Sequence, residues 1–367
     1  MSNYDKFLEL KSKSGLHSPS MFEMRSELSI DVKIDACFLC NPYAFDLFCE
    51  YYNKSDVLDY LKYYPPQNNS IADKLSKFIG MNPDYILVGN GAIQLIELIL
   101  REMMGKKKCI ITPTFSTYYE YDDANIVYYR THKEDDFRVN VQDLIKFCKA
   151  EEVETLVIVN PNNPTGTSMP KESITFLAKS LPSTTIIIDE SFIDFFDRKN
   201  SMEKDVYSNP NLLVIRSMSK DFGIAGLRLG YAIMSPRKRV QIVQKYGLLW
   251  NINGLAHLFI EIMNSENFRE RYEAARIQYL EGKTEFFKDL KTLNKLKTYN
   301  SDANFFIVDC GEHINEVFSN LLFDYGIYTR ILNDKLHLES SFLRISCGRR
   351  DHNKQIFNAL KEIEIKL

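Results

Sequence analysis

Between residues 84 and 233 short apolar runs alternate with amphipathic helical stretches, and this alternation limits the possible folds more than any other feature. The runs 84–88, 109–112, 126–129, 155–159, 184–188, 212–215 and 229–233 each read as a strand. Several are apolar at every position, as strands covered by helices on both faces must be. Helical periodicity fills most of the gaps, at 70–80, 92–104, 141–150 and 171–181, the first ending at the C-cap residue Gly80. The pattern predicts a doubly wound α/β domain of roughly 200 residues.

After Ser235 the character changes. Pro236 opens a helical run, and a charged amphipathic stretch follows over 256–293. A strand at 304–308, a helix at 314–325, a strand at 342–346 and a helix from Asp351 complete an α+β pattern. We therefore expect an N-terminal segment, 1–45, packing with a small domain, 251–367, and a large domain, 46–250, between them. With 367 residues, two cores are expected on length alone.

Composition narrows the function classes. The chain is 45% hydrophobic and 26% charged, with a formal net charge of −3. That balance excludes a disordered chain and gives no bulk attraction to nucleic acid or anionic lipid. No apolar run is long enough to span a bilayer, and the start MSNYDKFLELKSKSG has no apolar signal core. The seven cysteines show no framework spacing, and Cys37-x-x-Cys40 has no second pair at zinc-finger distance. Reduced thiols, no metal and a cytoplasmic address are expected.

In open α/β sheets ligands bind beyond the carboxyl ends of the strands, so the polar residues that stop each apolar run are the site candidates. Gly89-Asn90-Gly91 opens a helix and suits an anion held by backbone amides. Gln94 stands where a dinucleotide fingerprint would need its third glycine. Asn160-Pro-Asn-Asn163-Pro-Thr-Gly166 presents an amide before Pro164, and a simple turn would not need three asparagines. Asp189 ends a buried strand, where a carboxylate is costly unless it meets a cation or a protonated heterocycle. Lys220, in Ser217-Met-Ser219-Lys220, lies among hydroxyls and glycines in a setting suited to capturing an aldehyde. Arg330 and Arg344 sit in short apolar strands, a placement that usually serves an anion. Pyridoxal phosphate needs an amine, a carboxylate, a donor to its phenolic oxygen, an aromatic over its ring and a phosphate cradle. Lys220, Asp189, Asn163, Phe115 and the Gly89–Gly91 turn supply these.

The segments N-P-N-N-P-T-G, I-D-E, S-x-S-K and G-L-R-L-G-Y resemble those of the fold-type I, class I/II aminotransferases, and the likeness runs from Asn41-Pro42 to the last helix. Within that family the chain is most similar to histidinol-phosphate aminotransferase and threonine-phosphate decarboxylase. The resemblance implies a large domain with a mostly parallel seven-stranded sheet, a smaller α+β C-terminal domain and a homodimer sharing its active sites. It implies Lys220 as the Schiff-base lysine, Asp189 on the pyridinium nitrogen and Asn163 on the phenolic oxygen. Ser217, Ser219 and Arg228 would hold the cofactor phosphate beside Gly91 and Ala92, with Phe192 nearby and Tyr64 reaching in from the partner subunit. Asn41 and Arg344 fall on the substrate side, Arg344 on the α-carboxylate, and Arg330 matches a contact to the substrate's own phosphate.

The departures point to the reaction. Phe192 and Phe115 stand where aminotransferase relatives usually carry tyrosine, and Trp250-Asn-Ile-Asn253 is similar to a decarboxylase segment. Ile93 and Gln94 replace a polar and acidic pair, which leaves more of the phosphate to backbone amides. The expected activity is decarboxylation of serine phosphate or threonine phosphate. Transamination of a histidinol-phosphate-like substrate is the alternative, because Arg344 and Lys220 serve either outcome. A cofactor-binding sensor of transcription would need a basic DNA-binding module, which residues 1–40 do not provide.

Overall fold

The computed structural model describes residues 2–120 and 125–367. Its largest sheet has seven strands: β1 (Ile86–Asn90), β2 (Lys108–Thr112), β3 (Ile126–Arg130), β4 (Thr155–Val159), β5 (Thr185–Asp189), β6 (Leu212–Ser217) and β7 (Leu229–Ile233). Their order is β1-β7-β6-β5-β4-β2-β3. β7 is antiparallel to both of its neighbours, and the other pairings are parallel. All the expected strands are present. The first is displaced, because Asn82 caps Asp84 N at 2.9 Å and Pro83 starts a short 3-10 turn before β1. Helices cover both faces of the sheet, as the resemblance to fold-type I proteins implies.

Alternation along the strands decides which face each side chain covers. Ile110, Val157, Ile187 and Leu213 pack with Leu95, Ile96 and Ile99 of the helix Gly91–Glu102. Ile111, Ile158, Ile188 and Val214 point the other way, toward the helices Asn68–Ile79, Val141–Ala150 and Lys171–Ser180. Full burial of each such side chain contributes roughly 1.5–3 kcal/mol, which makes this sheet a stiff base for whatever stands at its edge.

A second core joins the two ends of the chain. The antiparallel sheet of β8 (Lys297–Thr298), β9 (Phe305–Asp309), β10 (Arg330–Ile331) and β11 (Phe342–Ser346) packs with the helix Arg350–Lys366. Phe7, Leu10, Met24 and Ile34 from the N-terminus share that core. Ile34 and Asp35 pair in parallel with Ile327 and Tyr328. The amphipathic stretch 256–293 divides into two helices, Gly254–Met263 and Phe268–Leu290, and Asn267 between them takes a left-handed φ of 62°.

One glycine sets how the site is assembled. Gly230 of β7 lies between Gly89 of β1 and Ser217 of β6. A Cβ there would fall 2.6 Å from Ala92 N and 2.8 Å from Arg216 O. The start of the helix Gly91–Glu102 can rest on the sheet only because that atom is missing. Gly230→Ala should therefore cost about 1–3 kcal/mol of stability, read as a lower urea midpoint at unchanged slope. An unchanged midpoint would show that the helix is not pressed against the strand.

Candidate active site

The parallel strands deliver their carboxyl ends to one edge of the sheet. β7 runs the other way, so the residue just before it, Arg228, arrives at that same edge. A cavity of about 110 Å³ opens there, lined by Ala92, Phe115, Asn163, Asp189, Phe192, Ser217, Ser219, Lys220 and Arg228, with Leu39, Ile93 and Ser191 among the others. A larger groove of about 710 Å³ lies beside Tyr60 and His257, but the strand-end residues do not converge there.

Asp189 is 3% exposed. Its Oδ2 accepts Tyr118 Oη at 2.9 Å, and its Oδ1 accepts Ser191 N at 2.9 Å and Ser191 Oγ at 2.5 Å. Burial pushes its pKa up, against the pull of those donors and of Lys220. Lys220 shifts the opposite way: burial pushes it down, and the nearby cations Arg344 and Arg228 add to that. Both shifts favour neutral forms, so each group is primed to take an oppositely charged or reactive partner.

The three asparagines after β4 have separate tasks. Asn160 closes its own loop through Met169 O and N, at 3.1 and 2.7 Å. Asn162 ties that loop to the one after β2, donating to Pro113 O at 2.8 Å and accepting from Thr114 Oγ1 at 2.7 Å. Asn163 lines the cavity, and its Oδ1 accepts Arg344 Nη1 at 2.7 Å, which leaves the amide's donor end for a ligand. The Asn160-Pro161 and Asn163-Pro164 bonds are both cis.

At the other end of the cavity Gly91 has a φ of 75°, and a Cβ on it would meet Arg228 Nη2 at 2.5 Å. Arg228 Nη1 reaches Ser219 Oγ at 3.4 Å and Ala225 O at 3.0 Å. Two serines, an arginine and the start of a helix thus face the same space, a donor set suited to a phosphate. Gln94 accepts Asn90 N at 2.8 Å and Asn251 Nδ2 at 3.3 Å, so it braces the turn. The Trp250 segment is a brace too: Asn253 caps the helix Gly254–Met263 through Ala256 N at 2.9 Å and donates to Leu227 O at 2.9 Å.

Arg344 is buried against the ring of Phe305, with its Nη2 on Cys37 O at 2.9 Å and its Nε unpartnered. Burial pushes its pKa down to about 10. An orphaned, buried N–H of this kind is costly unless an anion completes it. Asn41 donates its backbone N–H to Lys220 O at 2.8 Å and caps the helix Pro42–Tyr52. Tyr64 is 79% exposed and stacks on Trp250, outside this chain's own cavity. The Arg330 guanidinium is engaged by Ile331 O at 2.6 Å, Leu16 O at 3.1 Å and Asp334 Oδ2 at 2.5 Å. All seven cysteines are free thiols, and the Cys37 main chain contributes by holding Arg344.

The profile of the family "aminotransferase class I and II" matches residues 54–360. The chain belongs to this family. It is 38% identical to an L-serine phosphate decarboxylase of Campylobacter jejuni, over 98% of this chain and 96% of that one. It is 36% identical to an L-serine phosphate decarboxylase of Sulfurospirillum multivorans, over 97% and 95%. A solved structure of a decarboxylase from Sulfurospirillum multivorans superposes with a TM-score of 0.91 at 36% identity, covering 98% of this chain and 95% of that one. The histidinol-phosphate aminotransferase of Clostridium acetobutylicum follows at 0.81 and 25%, over 91% and 100%. Members of this aminotransferase family work with pyridoxal phosphate, and one neighbour was solved in complex with it.

Two residues that hold Asp189 escape sequence reasoning. Tyr118 and Ser191 fix the orientation of Asp189. Ser191 could be guessed from Asp189-Glu-Ser, but nothing in spacing links Tyr118 to a carboxylate 71 positions later.

The electrostatics of Lys220 lead to a measurable outcome. A lysine held below its ordinary range is neutral, hence nucleophilic, at a pH where surface lysines are still charged. Reductive methylation of the apoprotein, mapped by peptide mass, should modify Lys220 with a rate midpoint at lower pH than that of surface lysines. A shared midpoint would mean that the burial does not act on the amine.

Proposed function

We propose that this protein is a pyridoxal-phosphate-dependent decarboxylase of a small O-phosphorylated amino acid, with O-phospho-L-serine as the first candidate. One observation carries the reading: Lys220, Asp189, Asn163 and the Arg228 cluster converge on one cavity, in a chain similar along nearly its whole length to two L-serine phosphate decarboxylases.

The residues suit the cofactor on structural grounds. Gly91 leaves the space that Arg228 fills, the donor end of Asn163 is free, and Arg344 has an uncompleted N–H. Lys220 would hold the cofactor's aldehyde carbon, Asp189 its ring nitrogen and Asn163 its phenolic oxygen. Phe115 and Phe192 would flank it, and Ser217, Ser219, Arg228 and the amides at Gly91 and Ala92 would take its phosphate. When bound, the cofactor supplies an aldehyde that captures the substrate amine and a ring that accepts the electrons released at Cα.

This chain's own groups divide the remaining work. Asp189, once it faces a basic nitrogen, holds a proton there and gains the counter-charge its burial lacks. Arg344 offers its spare Nε–H to the substrate carboxylate, while its other nitrogens keep Asn163 and the Cys37 carbonyl in place. The Lys220 amine, beside the cavity, would serve as the acid that returns a proton to Cα once the carboxylate has left as CO2. Asn41 fixes the backbone from which that amine swings. Arg330 stands on the side of the substrate phosphate.

We also propose a cytoplasmic homodimer in which segment 1–45 packs with domain 251–367, beside domain 46–250. Exposed Leu58, Leu61, Tyr63 and Tyr64 form a surface that a second copy would cover, bringing Tyr64 toward the partner's cavity. Among the described residues no helix is long and apolar enough to cross a membrane.

Loaded with cofactor, the protein should release one CO2 per O-phospho-L-serine consumed and form phosphoethanolamine. Single-turnover conversion of the cofactor to its pyridoxamine form without CO2 would overturn the lyase reading in favour of transamination. Lys220→Ala should abolish turnover. Arg344→Lys, which loses the planar fork, should raise KM by about ten- to a hundredfold, and steady-state kinetics would show it. An unchanged KM would remove Arg344 from the substrate.

A further inference from the structure

The loop after β10 contains a cation without an anion. Lys335 is 8% exposed, and its ammonium forms no hydrogen bond or ion pair with any described residue. A buried lysine is ordinarily paired, because an isolated buried charge is strongly penalised. Its neighbourhood already has more positive groups than negative ones. Lys11 and Arg330 share Asp334 Oδ2 at 3.1 and 2.5 Å, and Arg344 is close enough to repel Lys335. Glu120 is the other anion in range, and it faces His17 Nε2 at 3.5 Å. Burial, followed by repulsion from Arg330, pushes Lys335 down to about 7, while Asp334 and Glu120 pull the other way.

Two contacts link this cluster to residues that line the cavity. Arg344 connects it to Asn163, and the His17 ring lies 6.0 Å from Phe115. Leu336 N meets Tyr119 Oη at 3.4 Å, on the short helix that follows Phe115. Arg330 has spent its guanidinium on two carbonyls and Asp334, which pins Leu16 and the N-terminal segment to this wall. Arg344 also lacks a carboxylate partner, but its two terminal nitrogens are held by Asn163 and the Cys37 carbonyl, so among the described cations of this cluster Lys335 is the one whose charged group has no hydrogen-bond partner.

We propose that Lys335 binds the phosphate monoester of the substrate and so selects phosphorylated amino acids, while Arg330 holds in place the wall on which Lys335 stands. The proposal rests on the reading of a phosphorylated substrate given above. A phosphate carries about two negative charges at pH 7, so it supplies the missing counter-ion and is attracted by the surplus of positive charge.

The test compares the holoenzyme with Lys335→Met and Lys335→Arg. O-phospho-L-serine is the substrate, inorganic phosphate the competing ligand, and L-serine the unphosphorylated probe of binding by cofactor absorbance. Lys335→Met should raise KM for O-phospho-L-serine and Ki for phosphate by about ten- to a hundredfold, with kcat changed less than threefold. L-serine binding should not move, and Lys335→Arg should recover most of the phosphate affinity. Thermal melts establish that both variants are folded, and if Lys335→Met is not, Lys335→Gln takes its place. Wild-type turnover with KM and Ki unaltered in Lys335→Met would overturn this proposal and leave the decarboxylase reading standing. Loss of phosphate binding in Lys335→Met, in an enzyme that releases no CO2, would support Lys335 and overturn the decarboxylase. Absence of binding by any phosphorylated ligand would overturn both.

Discussion

Asp189, buried, and Lys220, half-buried, line one cavity and form no ion pair with each other. The rest of the site depends on that separation. If they met, each would neutralise the other and the cavity would hold a finished salt bridge with nothing left to react. Held apart, both carry desolvation that only a molecule placed between them can relieve. The protein's folding energy keeps this arrangement open, with Ser191 and Tyr118 holding the acid and the Asn41–Lys220 backbone bond holding the base.

The sheet makes the separation possible. Asp189 ends β5, and Lys220 lies three residues beyond the end of the adjacent β6. A single reversed strand, β7, brings Arg228 to the same edge, and Gly230 within it lets a helix start settle close by. Backbone registration thus fixes the distances, and side chains need only fill them. The asparagines after β4 extend this precision to a loop.

Much of this was legible in the sequence because it follows from local rules. Apolar runs with two-sided burial marked the sheet, and polar residues at their ends marked the cavity. Every cofactor-side residue expected there except Gly91 and Tyr64 lines it directly, and Gly91 opens the helix whose second residue does. What stayed hidden depends on contacts between distant segments. Tyr118 reaches Asp189, Arg344 meets Cys37 O, and Lys335 is unusual only because its neighbours are already paired. A lysine in Asn333-Asp-Lys335 reads as surface, since charge balance in three dimensions has no one-dimensional signature. The N-terminal helices show the opposite case. Ser2 with Asp5 and Ser20 with Glu23 are capping boxes whose pattern is local and open to reading.

The parallel pairing of Ile34 and Asp35 with Ile327 and Tyr328 has a practical side. Because Cys37 O, Leu16 O and Lys11 all reach into the arginine wall, the first forty residues form a working partition beside the site. Expression variants trimmed at that end would be missing masonry from the substrate chamber.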